Sequence, residues 1–236
     1  MKVDKYVRQV AESFQFDVND TWGNENSMIL QGLGLMHNYE KLGRVLDNLI
    51  KQVPYDRKYA GIASFYVMEK GETEVKDRIK GLMNGLNAHF DEENDEMALV
   101  FYTKYETKLG GREHYQDVMN RYRAASEREG VNHAYFMTAV IEGIESIDQA
   151  IYEYYDGLKR LFKTSLRELI LEDELDITDK ALAAFSILKA CRLKVVLAEK
   201  YEKAGLDLYE QVMEDIQSKD LNKGAAIMMM AERLLH

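Results

Sequence analysis

Side chains able to exchange protons or hold hydroxyl groups gather just ahead of the apolar helical runs of this chain. The only tryptophan, Trp22, stands in "TWGNENS" with Asn24, Glu25 and Asn26. Asp56 precedes a run that begins near 57, and Glu93 and Asp95 belong to the acidic stretch "DEENDE" before the run near 95. Asn132, His133 and Tyr135 open the run in "VNHAYFMTAV", and Asp176, Thr178 and Asp179 open the one in "LDITDKALAAF". Carboxyl groups give or take protons when their surroundings adjust their proton affinity. Helix N-termini favour anionic groups. The same residue types are also ordinary N-caps, and "DEENDE" reads equally well as a solvated charge run.

Several chemistries are excluded. His37, His89, His114, His133 and His236 are scattered and form no metal-ligand spacing with Cys or Asp. The Gly-Leu-Gly at 32–34 lies inside a helical pattern, so no phosphate-cradling loop is present, and no Gly-x-Ser-x-Gly elbow occurs. No metal or other cofactor is expected. The formal net charge of −10, without a Lys/Arg stripe, argues against a nucleic-acid partner. The single cysteine, Cys191, excludes an internal disulfide and sits in an apolar helical run as a small buried hydrophobe. No stretch is apolar enough to span a membrane, and "MKVDKYVRQVAESF" has no hydrophobic signal region. A cytoplasmic protein without a membrane partner is the expectation, with the oligomeric state left open.

The elements that position these residues are helices. The 236 residues, 46% hydrophobic and 31% charged, contain one proline, Pro54. Glycines at 43, 71, 110, 111 and 130 mark helix ends. About twelve helical segments follow from the periodicity, near 2–14, 26–40, 43–53, 57–70, 73–88, 95–108, 112–127, 133–144, 146–171, 179–193, 197–217 and 222–235. Apolar stripes define core faces: Met97, Val100, Phe101 and Tyr105; Phe136, Val140, Ile141 and Ile144; Ile151, Tyr155, Leu158, Phe162 and Leu166. Twelve helices in six hairpins suggest one all-α domain over 1–236, an (α/α)6 barrel. The helices starting near 26, 57, 95, 133 and 179 are the more apolar of each pair. They should form an inner ring whose N-termini converge on one rim. Phe101, Ile141 and Phe185 should then be more buried than Tyr115 or Tyr209.

Four segments in order carry a resemblance: "WGNENSMILQGLGLMHNYEKLG", "YDRKYAGIASFYVMEKGETEVKD", "DITDKALAAFSILKACRLKVVLAEKY" and "LNKGAAIMMMAERLL". Together they resemble glycoside hydrolase families 88 and 105, the unsaturated glucuronyl and rhamnogalacturonyl hydrolases. Asp56 and Gly61 fall at matching places in the second segment. The resembled proteins are longer. Their loop before the third inner helix is represented here by "NAHFDEENDEMALVF", where Glu93 falls near the catalytic position and Asp95 two residues off. Their Trp–x–Arg–Gly–Asn–Gly–Trp approach to the fourth inner helix is altered, with Val131 at the arginine, His133 at the asparagine and Tyr135 at the second tryptophan. The resemblance implies hydration of the C4=C5 bond of a small 4,5-unsaturated uronide, with Asp56 and Glu93 or Asp95 handling protons. It implies saccharide contacts from Trp22, Asn26, His133, Tyr135 and Asp176. The alternative is a noncatalytic relative, a saccharide-binding or protein-interaction module.

Overall fold

The computed structural model describes residues 3–13, 24–36, 76–89, 96–172 and 174–235. Among these the regular elements are all helical: α1 (Val3–Ser13), α2 (Asn24–Leu35), α3 (Lys76–His89), α4 (Glu96–Lys108), α5 (Tyr115–Ser126), α6 (His133–Ser146), α7 (Tyr152–Leu171), α8 (Ile177–Arg192), α9 (Ala198–Glu214) and α10 (Lys223–Leu235). Ten of the expected segments therefore have a helix. Those near 43–53 and 57–70 lie outside the described residues. Helix α7 begins later than the expected 146 because Ile147 is extended and the Asp148 carboxylate accepts the Ala150 N–H, 2.9 Å away. Helix α8 begins earlier than 179 because Asp176, not Thr178, is its N-cap. No described helix is long and apolar enough to cross a membrane.

Five helices pack side by side in the order α2–α10–α8–α6–α4. Their sequences explain this central position. Helix α10 is buried continuously from Gly224 to Glu232, and α8 from Ala181 to Cys191. Apolar or small residues surround the axis rather than striping one side, as a helix with neighbours on several faces requires. The remaining helices cover this row: α5 lies on α4, α7 on α6, α9 on α8, α3 on α4 and α1 on α10. Covering helices are one-sided. Helix α7 buries Leu158, Phe162, Ser165, Leu166 and Leu169 at three- and four-residue intervals, and α9 buries only Gly205 and Val212.

The contact between α2 and α10 depends on two glycines. A Cβ at Gly224 would stand 2.3 Å from the Glu25 carbonyl oxygen and 2.7 Å from the Met28 Cβ. A Cβ at Gly32 would stand 2.6 Å from the Ile227 Cγ2 and 2.9 Å from the Met228 nitrogen. This close approach gives a reason for glycine inside the helical Gly-Leu-Gly.

Phe101, Ile141 and Phe185 are fully buried, and Tyr209 is half-buried as expected, but Tyr115 is only 1% exposed. Its hydroxyl lies 2.6 Å from the Thr107 Oγ1, and its ring centroid 5.6 Å from that of Tyr154. The first turn of α5 thus folds onto α4, so a covering helix supplies a core tyrosine. Cys191 is buried, and burial, with help from the Glu202 charge, pushes its thiol up to about 11.

A chain of charges runs through the row at its other end from the caps described below. Lys104 on α4 lies 3.7 Å from Glu142 on α6, and Glu142 pairs with Lys189 on α8. Lys189 reaches Glu145 at 2.6 Å. Arg192 reaches Glu145 at 3.3 Å and Glu232 on α10 at 2.6 Å. Lys104, Glu142, Lys189 and Glu232 are buried. Burial pushes the Lys104 ammonium below its ordinary range, reinforced by Lys189 and opposed by Glu142. Burial likewise opposes charge on Lys189, but Glu142 and Glu145 prevail and hold its ammonium well above the ordinary range. Desolvation makes such a network costly to half-dismantle.

Candidate functional site at the helix caps

The first turns of α2, α6 and α8 and the approach to α10 meet around a cavity of about 380 Å³. Several side chains there are held by bonds to the helix starts. Asn132, the N-cap of α6, accepts the Tyr135 N–H at 3.0 Å through its Oδ1. Its Nδ2 donates to the Asp179 Oδ1 at 2.9 Å, tying α6 to α8. Asp176, the N-cap of α8, accepts the Asp179 N–H at 2.8 Å. Thr178 is no cap: its hydroxyl donates to the Asp220 carbonyl at 3.0 Å and accepts the Asn222 N–H at 2.9 Å. Asn222 in turn accepts the Ala225 N–H at 3.0 Å, and Glu25 accepts the Lys223 N–H at 3.2 Å. Caps normally satisfy the first N–H groups of their own helix. Here they also join neighbouring helices.

The lining carries the carboxylates of Glu25, Asp176, Asp179 and Asp220, the amides of Asn132 and Asn222, the Tyr135 ring and Lys219. Burial raises the Asp179 carboxyl above its ordinary range, against the lowering effect of the Asn132 hydrogen bond, and the Asp176 charge adds to the rise. The Tyr135 phenol is pushed up by burial, then by Asp179, Asp176, Glu25 and Glu96. The hollow therefore offers several acceptors for hydroxyl groups, amide donors, one aromatic ring and one carboxyl that retains its proton more readily than a free aspartate.

Of the residues expected to contact a saccharide, Tyr135 and Asp176 share this cavity, together with Glu25, Asn132, Thr178 and Asp179 from the same cap stretches. Asn26 is half-buried in the first turn of α2 but is not part of the lining. His133 is turned elsewhere. It lines a separate cavity of about 420 Å³ with Phe136, Leu161 and Glu168, and its Nδ1 lies 3.2 Å from the Ser165 Oγ on α7. Helical geometry gives the reason: residues two apart point about 200° from each other, so Tyr135 at the caps sends His133 toward the covering helix. Trp22, Asp56, Glu93 and Asp95 lie outside the described residues. Val131, at the place of the resembled arginine, packs half-buried against the core. Arg128 is engaged with Glu96 at 2.5 Å.

Asp179, Glu25, Asp220 and Asn222 were not singled out as ligand contacts. The "DITD" spacing announces a capping pair, but the bond from Asn132 to Asp179 spans 47 positions and leaves no local trace. Among the described residues, no group of three or more His, Cys, Asp or Glu is arranged to hold a metal ion. A scan against protein-family models finds no match, and comparisons with curated proteins and with solved structures find none either.

Proposed function

We propose that the chain is an (α/α)6 toroid whose rim, where the inner helices begin, receives a small saccharide. The cavity bounded by caps of α2, α6, α8 and α10 is the observation that carries this reading. Four consecutive members of the central row contribute to it, as the inner ring of a toroid would. The sequence between α2 and α3 is long enough for the further hairpin that a six-hairpin ring needs. Carboxylates and amides fixed by backbone caps suit a ligand rich in hydroxyl groups, and the Tyr135 ring supplies an apolar surface for a sugar face.

Within that reading, the chain acts on a 4,5-unsaturated uronide, as the resembled families do. Water adds across the C4=C5 bond: a carboxyl gives its proton to C4, the water oxygen bonds C5 and a carboxylate takes the proton that the water loses, and the C5 hemiketal so formed opens to release the glycosidic partner. The raised proton affinity of Asp179 suits such a donor, alongside Asp56 and Glu93 or Asp95 from the resemblance. A second reading, saccharide binding without this reaction, is favoured by the sign of the lining. Four carboxylates against Lys219 oppose a uronate carboxylate at this spot, and Arg128 is already paired.

Two measurements on one panel of lyase-derived oligosaccharides separate these readings. Loss of the ultraviolet absorbance of the C4=C5 bond supports the hydrolase. Saturable binding, followed by fluorescence of the single tryptophan and by calorimetry, without loss of absorbance supports the binding module. Neither turnover nor binding across the unsaturated and saturated members sinks both.

A further inference from the structure

A third hollow, of about 310 Å³, lies at the opposite end of α4, between α3 and the turn joining α4 to α5. Its lining includes Glu106, Tyr105, Met83, Asn84 and Lys80. Glu106 is fully buried. One carboxylate oxygen accepts the His114 N–H at 3.2 Å; the other is buried and has no hydrogen-bond partner. No ion pair reaches Glu106 among the described residues. This differs from the buried carboxylates Glu142 and Glu232, each of which meets a cation.

A Cβ at Gly110 would stand 2.5 Å from the Glu106 Oε1 and 2.7 Å from its Cδ, so the carboxylate packs directly against this glycine and would have to shift for a larger residue. The turn continues through left-handed Gly111 (φ 79°) and Arg112 (φ 72°) before His114 supplies its N–H. A buried carboxylate with a single neutral hydrogen bond is costly. Its position in the last turn of α4, at the negative end of the helix dipole, adds to that cost. Both features favour a positive charge in the hollow.

We propose that this hollow binds a small organic monocation bearing N–H donors, an alkylammonium group directed at the Glu106 carboxylate. Met83, Tyr105 and Leu109 provide walls for an alkyl body, and Tyr105 an aromatic face for the charge. Lys80, exposed at the mouth, disfavours a dication.

The test uses the ¹⁵N-labelled full chain, n-butylammonium chloride, and n-butanol as the neutral probe, at constant ionic strength. The expected result is saturable shifts of the Gly110 and His114 amides with the ammonium. Binding of the alcohol, or binding of the ammonium to Glu106→Gln, should be roughly tenfold weaker or more, as loss of a charged hydrogen bond implies. Should Glu106→Gln fail to fold, Lys80→Ala alters only an exposed side chain and should tighten ammonium binding at low salt. Equal binding of ammonium and alcohol, unchanged affinity in Glu106→Gln, no shift at tens of millimolar, or indifference to Lys80→Ala would each overturn the proposal.

Discussion

Asp179 carries the sharpest expectation at the scale of single residues. Its carboxyl is raised by burial and by Asp176. A ¹³C-detected titration should place its midpoint above the ordinary value of 3.8. The sign of the linkage follows. The folded state holds this proton more tightly than the unfolded chain does. The group therefore favours folding at low pH, and its contribution is lost as pH rises from the ordinary value through the raised one. Asp179→Asn keeps an acceptor for Asn132, so it should leave stability at neutral pH unchanged or higher. A midpoint at or below the ordinary value would remove Asp179 from consideration as a proton donor. If the rim is catalytic, the same substitution should lower turnover by roughly 10²–10⁴-fold, the range for loss of a general acid. Tyr135→Ala should weaken saccharide binding, whereas His133→Ala should not, because His133 faces α7.

At the scale of elements, packing between α2 and α10 is the most exposed to test. Gly224→Ala sets a methyl group against the Glu25 carbonyl and Met28, and neither backbone can yield cheaply. A loss of about 1–3 kcal/mol is expected, as for other overpacked sites, and denaturant unfolding would measure it. Ala tolerated at 224 without loss would contradict the close approach. The helices themselves were legible in the sequence. Periodic apolar residues and glycine punctuation placed most ends of α1 to α10 to within about three residues, since both signals are local, but the start of α7 and the end of α2 lie five to six residues from where they were expected. Their caps were harder. "DITD" contains three candidates, and the choice of Asp176 depends on the loop before α10, which occupies Thr178 from 42 and 44 positions away. Likewise His133 and Tyr135 were expected at one site, although a spacing of two sets them on opposite faces of a helix, and nothing local says which of them faces the caps.

Across the whole molecule, the charged chain from Lys104 to Glu232 links four helices of the central row. Sequence reading gave no sign of it. A lone Lys104 in "FYTKYE" or Glu232 in "MMAERL" looks like the solvent face of an amphipathic helix, and only helices packed on both sides put such residues inside. Lys189→Met should cost about 3–5 kcal/mol, because Glu142 would lose its closest partner, while joint replacement of Glu142 and Lys189 by apolar residues should cost less than either single change. Thermal and denaturant unfolding decide this; additive losses would mean that the network is no unit. The central claim concerns the other end of the row, and the most direct measurement is an NMR titration of the ¹⁵N-labelled chain with an unsaturated uronyl disaccharide and its saturated counterpart. Saturable shifts are expected at the amides of Tyr135, Asp179 and Lys223, with those of Ser165 and Glu168 unmoved. No shift with either sugar, or shifts confined to residues away from the caps, would contradict it.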